Sequence, residues 1–408
     1  MSALTLTKSA PAATLLLATA SLGDWLSALK VAGVGISTRP PVPVLAGVLI
    51  ESTAHAVTVS GFDYATYGVA TVAGSHGRNE GRILVHYRLL LDILTTAGKR
   101  ATKRVSDAWD VTIRQEGTGV TVTVNGATFA LATLPVDEYP NLPKHSSDQA
   151  YGVNAATFIR RMDSAMVSAS NDDTLPILTG VKFEMAGGFL SLMATDRYRL
   201  TIAELPVFGT FDDHSFLLGA KTWKSMKKVL SPKGSEIRVE FYPELGSKGT
   251  KFPEGNSWLV LQQDGAKVGA LQIQGDYPKI RSLFPDDAPV VFEVDADMLA
   301  SCVATVSVVA ERNTPIRFTY NGVGSLRIDA GTGEDAQGQA FMVYTSPKGN
   351  RGFTVAFNPT YLAAALKDLK GQTIQFNHAE NSGKPASIVG VDAPEVKHLV
   401  MPVRLPGK

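Results

Sequence analysis

Two groupings of charged residues offer themselves for chemistry: Asp196 with Arg197 and Arg199, and the neighbouring pair Asp172 and Asp173. A carboxylate beside cations or beside a second carboxylate is raw material for general acid–base catalysis, because each neighbour moves the other's protonation. Catalysis needs more than a pair, however: a positioned histidine, a nucleophile on a sharp turn, a glycine-rich phosphate loop or a set of metal ligands. None accompanies either grouping. The seven histidines are scattered without ligand spacing, and Cys302 is the only cysteine, so no disulfide within the chain and no cysteine-based metal site is available. The residues point away from an enzyme, and neither a metal nor a cofactor is expected.

The basic residues suggest a different chemistry. Lys221, Lys224 and Lys228 fall at i, i+3 and i+7, one face of a helix, with Lys227 beside them. Lys99, Arg100, Lys103 and Arg104 crowd the end of another predicted helix; Arg160 and Arg161 sit on a third, and Arg39 precedes a strand-like PVLAG. Any one of these cations alone reads as a solvated surface residue. Their recurrence at comparable places suits contact with phosphates, which gives affinity without sequence specificity.

The elements that carry them are repeated. Pro43 to Glu51 (PVLAGVLIE) matches Pro176 to Glu184 (PILTGVKFE) at a shift of 133, and the same shift carries Asp63 onto Asp196 without a gap. Keeping motif and spacing together is rare by chance, and an aspartate used twice reads as a turn or strand-end device. Glu138-Tyr139-Pro140 is echoed by Asp276-Tyr277-Pro278, each followed by a further proline, Pro143 and Pro285. A weaker third copy starts near Val294 and runs through a helical Asp295 to Ala310 into Arg312-Asn313-Thr314-Pro315-Ile316-Arg317-Phe318. The expected domains are 1–145, 146–287 and 288–408.

Each unit has two predicted helices. The first ones are Ser21 to Lys30 with Asp24 completing a capping box, Asn154 to Ala169 with Asn154 as cap, and Asp295 to Ala310. The second ones are Tyr87 to Ala97, Lys221 to Leu230, and Pro359 to Leu369, the last with Asn358 ahead of it and Gly371 as its stop. Short alternating strands fill the rest, among them Val57 to Val59, Val120 to Val124, Leu190 to Leu192, Ser257 to Gln262 and Thr373 to Phe376. Two helices on antiparallel sheet, three times over, is an α+β fold.

Bulk properties agree. Of 408 residues, 44% are hydrophobic and 19% charged, enough for several cores, and a net charge of +1 excludes a uniformly basic binder but not one with a basic face. Ala10 to Gly23 resembles a short signal-peptide core, yet a strand running into a helix is the plainer reading. No apolar run reaches the ~18–20 residues of a membrane span, so a soluble cytoplasmic protein with no membrane partner is expected. A body of about 135 residues is roughly 35 Å across, and six such bodies in a ring enclose a hole about as wide, enough for a DNA duplex and water. Three bodies per chain call for two chains, closed head to tail.

Four motifs in series then resemble the β sliding clamp of bacterial DNA polymerase III, closest to the actinobacterial kind. They are TLPILTGV (Thr174 to Val181), ATDRYRL (Ala194 to Leu200), GDYPKIRSLFP (Gly275 to Pro285) and MPVRL (Met401 to Leu405), and the resemblance spans the chain. It implies three DNA-clamp domains per chain and a six-domain dimeric ring around double-stranded DNA, without sequence specificity. Helices would lie inside, with Arg39, Arg100, Arg104, Arg160, Lys221, Lys224 and Lys228 toward the duplex. A peptide pocket between the second and third domains is also implied, taking short hydrophobic motifs of the replicative polymerase, clamp loader and repair proteins. Carried over by position, it comprises Leu175, Leu178, Thr195, Arg197, Tyr198, Arg199, Leu200, Pro278, Ser282, Leu283, Met401, Pro402, Val403 and Arg404. The composition suits an apolar anchor with a polar rim, although Leu178, Leu200 and Leu283 also suit a plain core. The implied homodimer contact sets Phe129 near Val308 and Val309 of the other copy.

Two features depart from the family pattern. Arg197 stands where many clamps carry a smaller residue and Leu175 where some carry arginine, which alters the pocket rim. Tyr242 to Ser257 reads as a long inserted loop. A binding protein of repeated α+β domains that never closes into a ring remains the alternative, and it predicts monomers.

Overall fold

The computed structural model describes residues 14–143 (except 54 and 78), 150–209, 214–242 (except 235), 257–284, 289–310, 314–320, 324–331, 336–345, 352–379 and 383–404. Pro285, Arg312, Asn313, most of the long loop (243–256) and the chain end from Leu405 lie outside them. The α-helices are α1 (Leu22–Ala32), α2 (Tyr87–Gly98), α3 (Lys103–Ser106), α4 (Ala155–Met166), α5 (Ala220–Met226), α6 (Ala296–Ser307) and α7 (Pro359–Asp368). The expected caps at Ser21 and Asn154 stand where the sequence puts them, and Asp295 caps α6 as well. Ser21 Oγ accepts from Asp24 N at 3.1 Å, Asn154 Oδ1 from Thr157 N at 3.0 Å, and Asp295 Oδ1 from Met298 N at 2.8 Å. Asn358 Oδ1 caps α7 through Thr360 N, and Gly371 takes φ +76, three residues past the helix.

Several expectations change, and the helices expected to reach Ala169 and Ala310 end at Met166 and Ser307. The proline-led segments are not strands from the start. Pro43–Ala46 and Pro176–Thr179 each form a 3-10 turn, and the strand begins only at Gly47 or Gly180. Proline at the first turn position presets φ and needs no amide partner, which favours the turn. The helix expected from Lys221 to Leu230 closes earlier. α5 stops at Met226 and tightens into a 3-10 turn, Lys227–Val229. At 120° per residue in place of 100°, that change still leaves Lys228 within ~20° of Lys221 around the axis.

The described residues form two compact bodies, one drawn from the stretches 14–143, 222–242 and 257–271, the other from 151–221 and 272–404. In the first, one antiparallel sheet runs from Glu236–Tyr242 through Trp258–Gln263, Ala266–Leu271, Thr66–Thr71, Val57–Phe62, Gly47–Ser52 and Gly81–His86. It continues through Ala127–Leu134, Gly119–Val124 and Asp110–Glu116 to Thr14–Ser21. From Thr14 onward, the stretch with signal-peptide character is a paired strand leading into α1. Strands of the second repeat extend the sheet of the first because Ala266–Leu271 pairs along Thr66–Thr71. α1 lies hard against this sheet: a Cβ on Gly68 would stand 1.8 Å from the Val31 carbonyl, so only glycine fits there.

The second body repeats the device. Its eight-stranded sheet runs His214–Gly219, Gly180–Ala186, Phe189–Thr195, Arg199–Pro206, Ala393–Val400, Ala386–Gly390, Thr373–Asn377 and Val290–Asp295. Here Arg199–Pro206 pairs with Ala393–Val400, so strands from two repeats again share one sheet. A four-stranded sheet, Gly338–Val343, Ser325–Ala330, Ile316–Tyr320 and Phe353–Phe357, closes the core on α6 and α7 around Phe292, Phe318, Phe357 and Phe376. Among the described residues, no helix is long and apolar enough to cross a membrane.

Candidate functional site

The turn after Phe189–Thr195 is built by one aspartate. Asp196 Oδ1 accepts from Tyr198 N at 3.1 Å and Arg199 N at 3.0 Å, while Oδ2 accepts from Arg199 Nε at 2.9 Å. Those bonds hold Arg197 in the left-handed region at φ +79, where a side chain is strained. The first repeat does the same: Asp63 Oδ1 accepts from Ala65 N and Thr66 N, and Tyr64 takes φ +71. The twice-used aspartate is therefore a turn-former, and its carboxylate is occupied. Asp172 is likewise engaged by Thr174, whose hydroxyl and amide, with help from the Arg197 charge, hold its pKa below the usual carboxylate range. Asp173 pairs with Lys221 at 2.6 Å. Neither acidic grouping is free to act on a substrate.

Around the Asp196 turn several candidate residues come together. Tyr198 is 55% exposed and stacks on Tyr361 of α7, ring centres 6.1 Å apart and planes 19° from parallel. The Arg199 guanidinium lies 4.7 Å over the same Tyr361 ring. The Tyr198 carbonyl accepts from Met401 N at 2.8 Å, and two residues on Val403 N donates to the Ala356 carbonyl at 2.8 Å. The segment is thus fastened at Met401 and at Val403, and both side chains are partly exposed. Beneath, Leu200 packs with Met193, Ile202, Ile280 and Leu399, and with Tyr277 and Phe284 at the margin. Leu200 and Leu178 are buried, as the plain-core reading allowed, whereas Leu283 is 55% exposed and is not core. Thr195 is buried and donates to the Arg199 carbonyl at 2.8 Å. Leu175 is half-buried, and Pro278, Ser282, Arg197 and Arg404 are exposed, with Pro402 between. The result is an apolar floor beside exposed Tyr198, Leu283, Met401 and Val403, with arginines around it.

Tyr361 belongs to this constellation and has no motif to announce it. Burial raises its phenol pKa, with the Asp196 charge adding to the effect. Behind it lies a chain of buried polar groups also not foreseen. His398 Nε2 meets Asp368 Oδ2 at 2.9 Å, His398 Nδ1 bonds Thr201 Oγ1 at 2.9 Å, and Thr201 bonds Ser168 at 2.7 Å. Ser164 Oγ donates to the other Asp368 oxygen at 3.0 Å. A hydroxyl–histidine–aspartate order, here from Thr201, resembles a hydrolase's, but His398 is 1% exposed, so no substrate reaches it. The chain instead ties the Ala393–Val400 strand and the end of α7 to α4.

The basic candidates Arg39, Arg100, Arg104, Arg160, Lys221, Lys224 and Lys228 are all exposed. On α5 the opposite face, Trp223 and Met226, is buried, which turns the lysines outward. Arg161 is a correction. It is 7% exposed and pairs with Glu395 at 3.2 Å, because its helix phase matches the buried Phe158, Met162 and Ala165. Lys103 pairs with Asp107.

Ala127–Leu134 alternates in burial, with Phe129 half-buried between exposed Thr128 and Ala130. On one side it pairs with Gly119–Val124 along its length; on the other, only Thr133 and Leu134 meet a strand among the described residues. Gly338–Val343 is also a sheet edge, with Phe341 and Val343 exposed. Val308 is 83% exposed, while Val309 packs on its own core.

The chain matches the DNA polymerase III beta subunit in all three of its parts: the N-terminal domain over residues 21–143, the central domain over 152–279 and the C-terminal domain over 281–404. It is 36% identical over 307 residues to the beta sliding clamp of Micrococcus luteus, across 74% of this chain and 90% of that one. To the beta sliding clamp of Streptomyces coelicolor it is 33% identical over 382 residues, 91% and 95% of the two chains. Its fold is that of the Bacillus subtilis DNA polymerase sliding clamp (TM-score 0.82, 20% identity, 96% and 100% covered). It is equally like the Pseudomonas aeruginosa sliding clamp solved bound to griselimycin (TM-score 0.80, 22% identity, 96% and 100% covered). Three family domains in order along one chain, on the fold of solved clamps, make this protein a member of the DNA polymerase III beta subunit family, the beta sliding clamps.

Proposed function

We propose that two copies of this chain close head to tail around duplex DNA in the cytoplasm and tether the replicative polymerase and other partners, doing no covalent chemistry. The domains are taken as 1–145, 146–287 and 288–408. The observation that carries the ring is a pair of unlike open strand edges that both bear exposed or half-buried apolar side chains, Ala127 to Ala132 with Phe129 and Gly338–Val343 with Phe341 and Val343. Unlike edges on one chain can pair with each other on two chains, and a heterologous contact that closes leaves neither of these two edges open. Phe129 and the exposed Val308 would join that contact, with Val309 behind as support. Arg39, Arg100, Arg104, Arg160, Lys221, Lys224 and Lys228 would face the phosphates, loosely enough for sliding.

The exposed apolar group around Tyr198, Leu283, Met401 and Val403, rimmed by Arg197, Arg199 and Arg404, supports a pocket for a short hydrophobic peptide with an acidic residue. Leu175, Leu178, Thr195, Leu200, Pro278, Ser282 and Pro402 would complete it. Light scattering should give twice the chain's mass, and protein loaded on nicked circular DNA should be lost when the circle is cut. A monomer that never remains on a circle would leave only a repeated binding protein.

A further inference from the structure

The chain carries the framework of the peptide pocket twice. The shift of 133 that relates the two repeats puts Phe62 at the place of Thr195, Tyr64 at that of Arg197 and Tyr67 at that of Leu200. The fastening of the exit strand is duplicated as well. Leu271 N donates to the Ala65 carbonyl at 2.8 Å, as Met401 N does to Tyr198. Register confirms that match, since Ala270 pairs with Thr66 as Val400 pairs with Arg199. What differs is the filling. In the first body the Trp258 indole, opposite Leu271 across the sheet, sits 6.2 Å from the Phe62 ring and 5.5 Å from the Tyr67 ring. The residue at that place in the second body is Pro385, one before the Ala386 that pairs with Val400. Gly269 lies under Tyr67, where a Cβ would come within 2.1 Å of the ring, and Leu399 holds the matching place under Leu200.

We propose that Trp258 is a built-in occupant of the first repeat's copy of the peptide pocket, so that each chain offers one partner site where its framework contains two. The indole lies against the residues that correspond to Thr195 and Leu200, the place a partner's apolar side chain takes in the open copy. This rests on the peptide reading of the Met401 region. An apolar space vacated by a large aromatic side chain readily accepts a free aromatic molecule.

The test uses the full-length chain, its Trp258→Ala and Trp258→Leu variants, Met401→Asp, and the double variant Trp258→Ala/Met401→Asp. The probes are free indole and a fluorescein-labelled hexapeptide with one leucine, one phenylalanine and one aspartate. Circular dichroism and thermal melting select the variants that fold. The expected peptide stoichiometry per chain is one for the unsubstituted protein, none for Met401→Asp, two for Trp258→Ala and one for the double variant. Trp258→Leu serves if the alanine variant does not fold, and should show the second site at higher peptide concentration. A folded Trp258 variant that still binds one peptide, and takes up no indole by equilibrium dialysis, overturns the proposal. If the unsubstituted chain binds no peptide, the reading of the Met401 pocket fails instead; indole uptake by Trp258→Ala then still decides whether the indole fills a pocket.

Discussion

Replacing Asp196 with alanine separates the turn from everything around it. The carboxylate accepts two backbone amides and the Arg199 guanidinium within 3.1 Å, and its side chain is only 12% exposed. Hydrogen bonds to a charged acceptor are worth about 1.5–3 kcal/mol each, less where water replaces them. Tyr198 is exposed enough for water to satisfy its amide, so one full bond and part of a second are lost, about 3 kcal/mol in all. For a body of this size that is a fall of roughly 6–12 °C in melting temperature. The turn also fixes the Tyr198 carbonyl that receives Met401 N, so peptide affinity should fall together with stability. Asp63→Ala is the control, because it breaks the same turn in the first repeat at a distance in sequence from every candidate pocket residue. Calorimetry and fluorescence anisotropy of a labelled hydrophobic peptide would read both effects. If both variants lost stability alike and both lost peptide binding, the Asp196 turn would have no local part in the pocket. If Asp196→Ala melted within a degree of the parent, the bond energies used here would be wrong.

Charge reversal at Lys224 and Lys228 should shorten retention on circular DNA and flatten its dependence on salt, since each lost phosphate contact lowers the salt slope by about one; an unchanged slope removes α5 from the DNA path. Phe129→Asp should give monomers in light scattering, and persistent dimers would place the contact elsewhere. His378 is fully buried and its pKa is lowered by that burial. A base whose folded pKa lies below the unfolded value of about 6.5 favours folding above that value and loses its contribution as pH falls through the interval beneath it. His378→Gln should therefore lose less stability than the parent between pH 7.5 and 5 in urea titrations, and parallel losses would assign the acid sensitivity to other groups.

The parts of the site that the sequence made legible are those where a local rule acts alone. An aspartate at a fixed step after a repeated motif can be read as a turn, and both copies hold the residue after it at positive φ. Caps at Ser21 and Asn154 follow from side chains that reach their own backbone within three residues. The proline-led turns misled because their apolar content matches a buried strand, and composition cannot tell a 3-10 turn from a strand over four residues. Arg161 misled for a different reason. Charge type argued for surface, whereas its helical phase argued for the core, and phase won because Glu395 was within reach to pair with it.

Tyr361 and the His398 chain mark where reading along the sequence stops. Tyr361 meets Tyr198 from more than a hundred and fifty residues away, and His398 bonds Thr201 across a separation of 197. Neither contact leaves a spacing rule, since each exists only because a strand of the last repeat joins the sheet of the middle one. That same sharing brings Met401 beside the Asp196 turn, and in the first body brings Trp258 beside the Asp63 turn. On the proposal made above, the side chain opposite the strand end, Trp258 in one repeat and Pro385 in the other, decides whether the floor is filled or open. Self-similarity placed both aspartate turns at matching positions; it could not show what lies beside each, because proline and tryptophan at matching places look like ordinary divergence until the strands are paired.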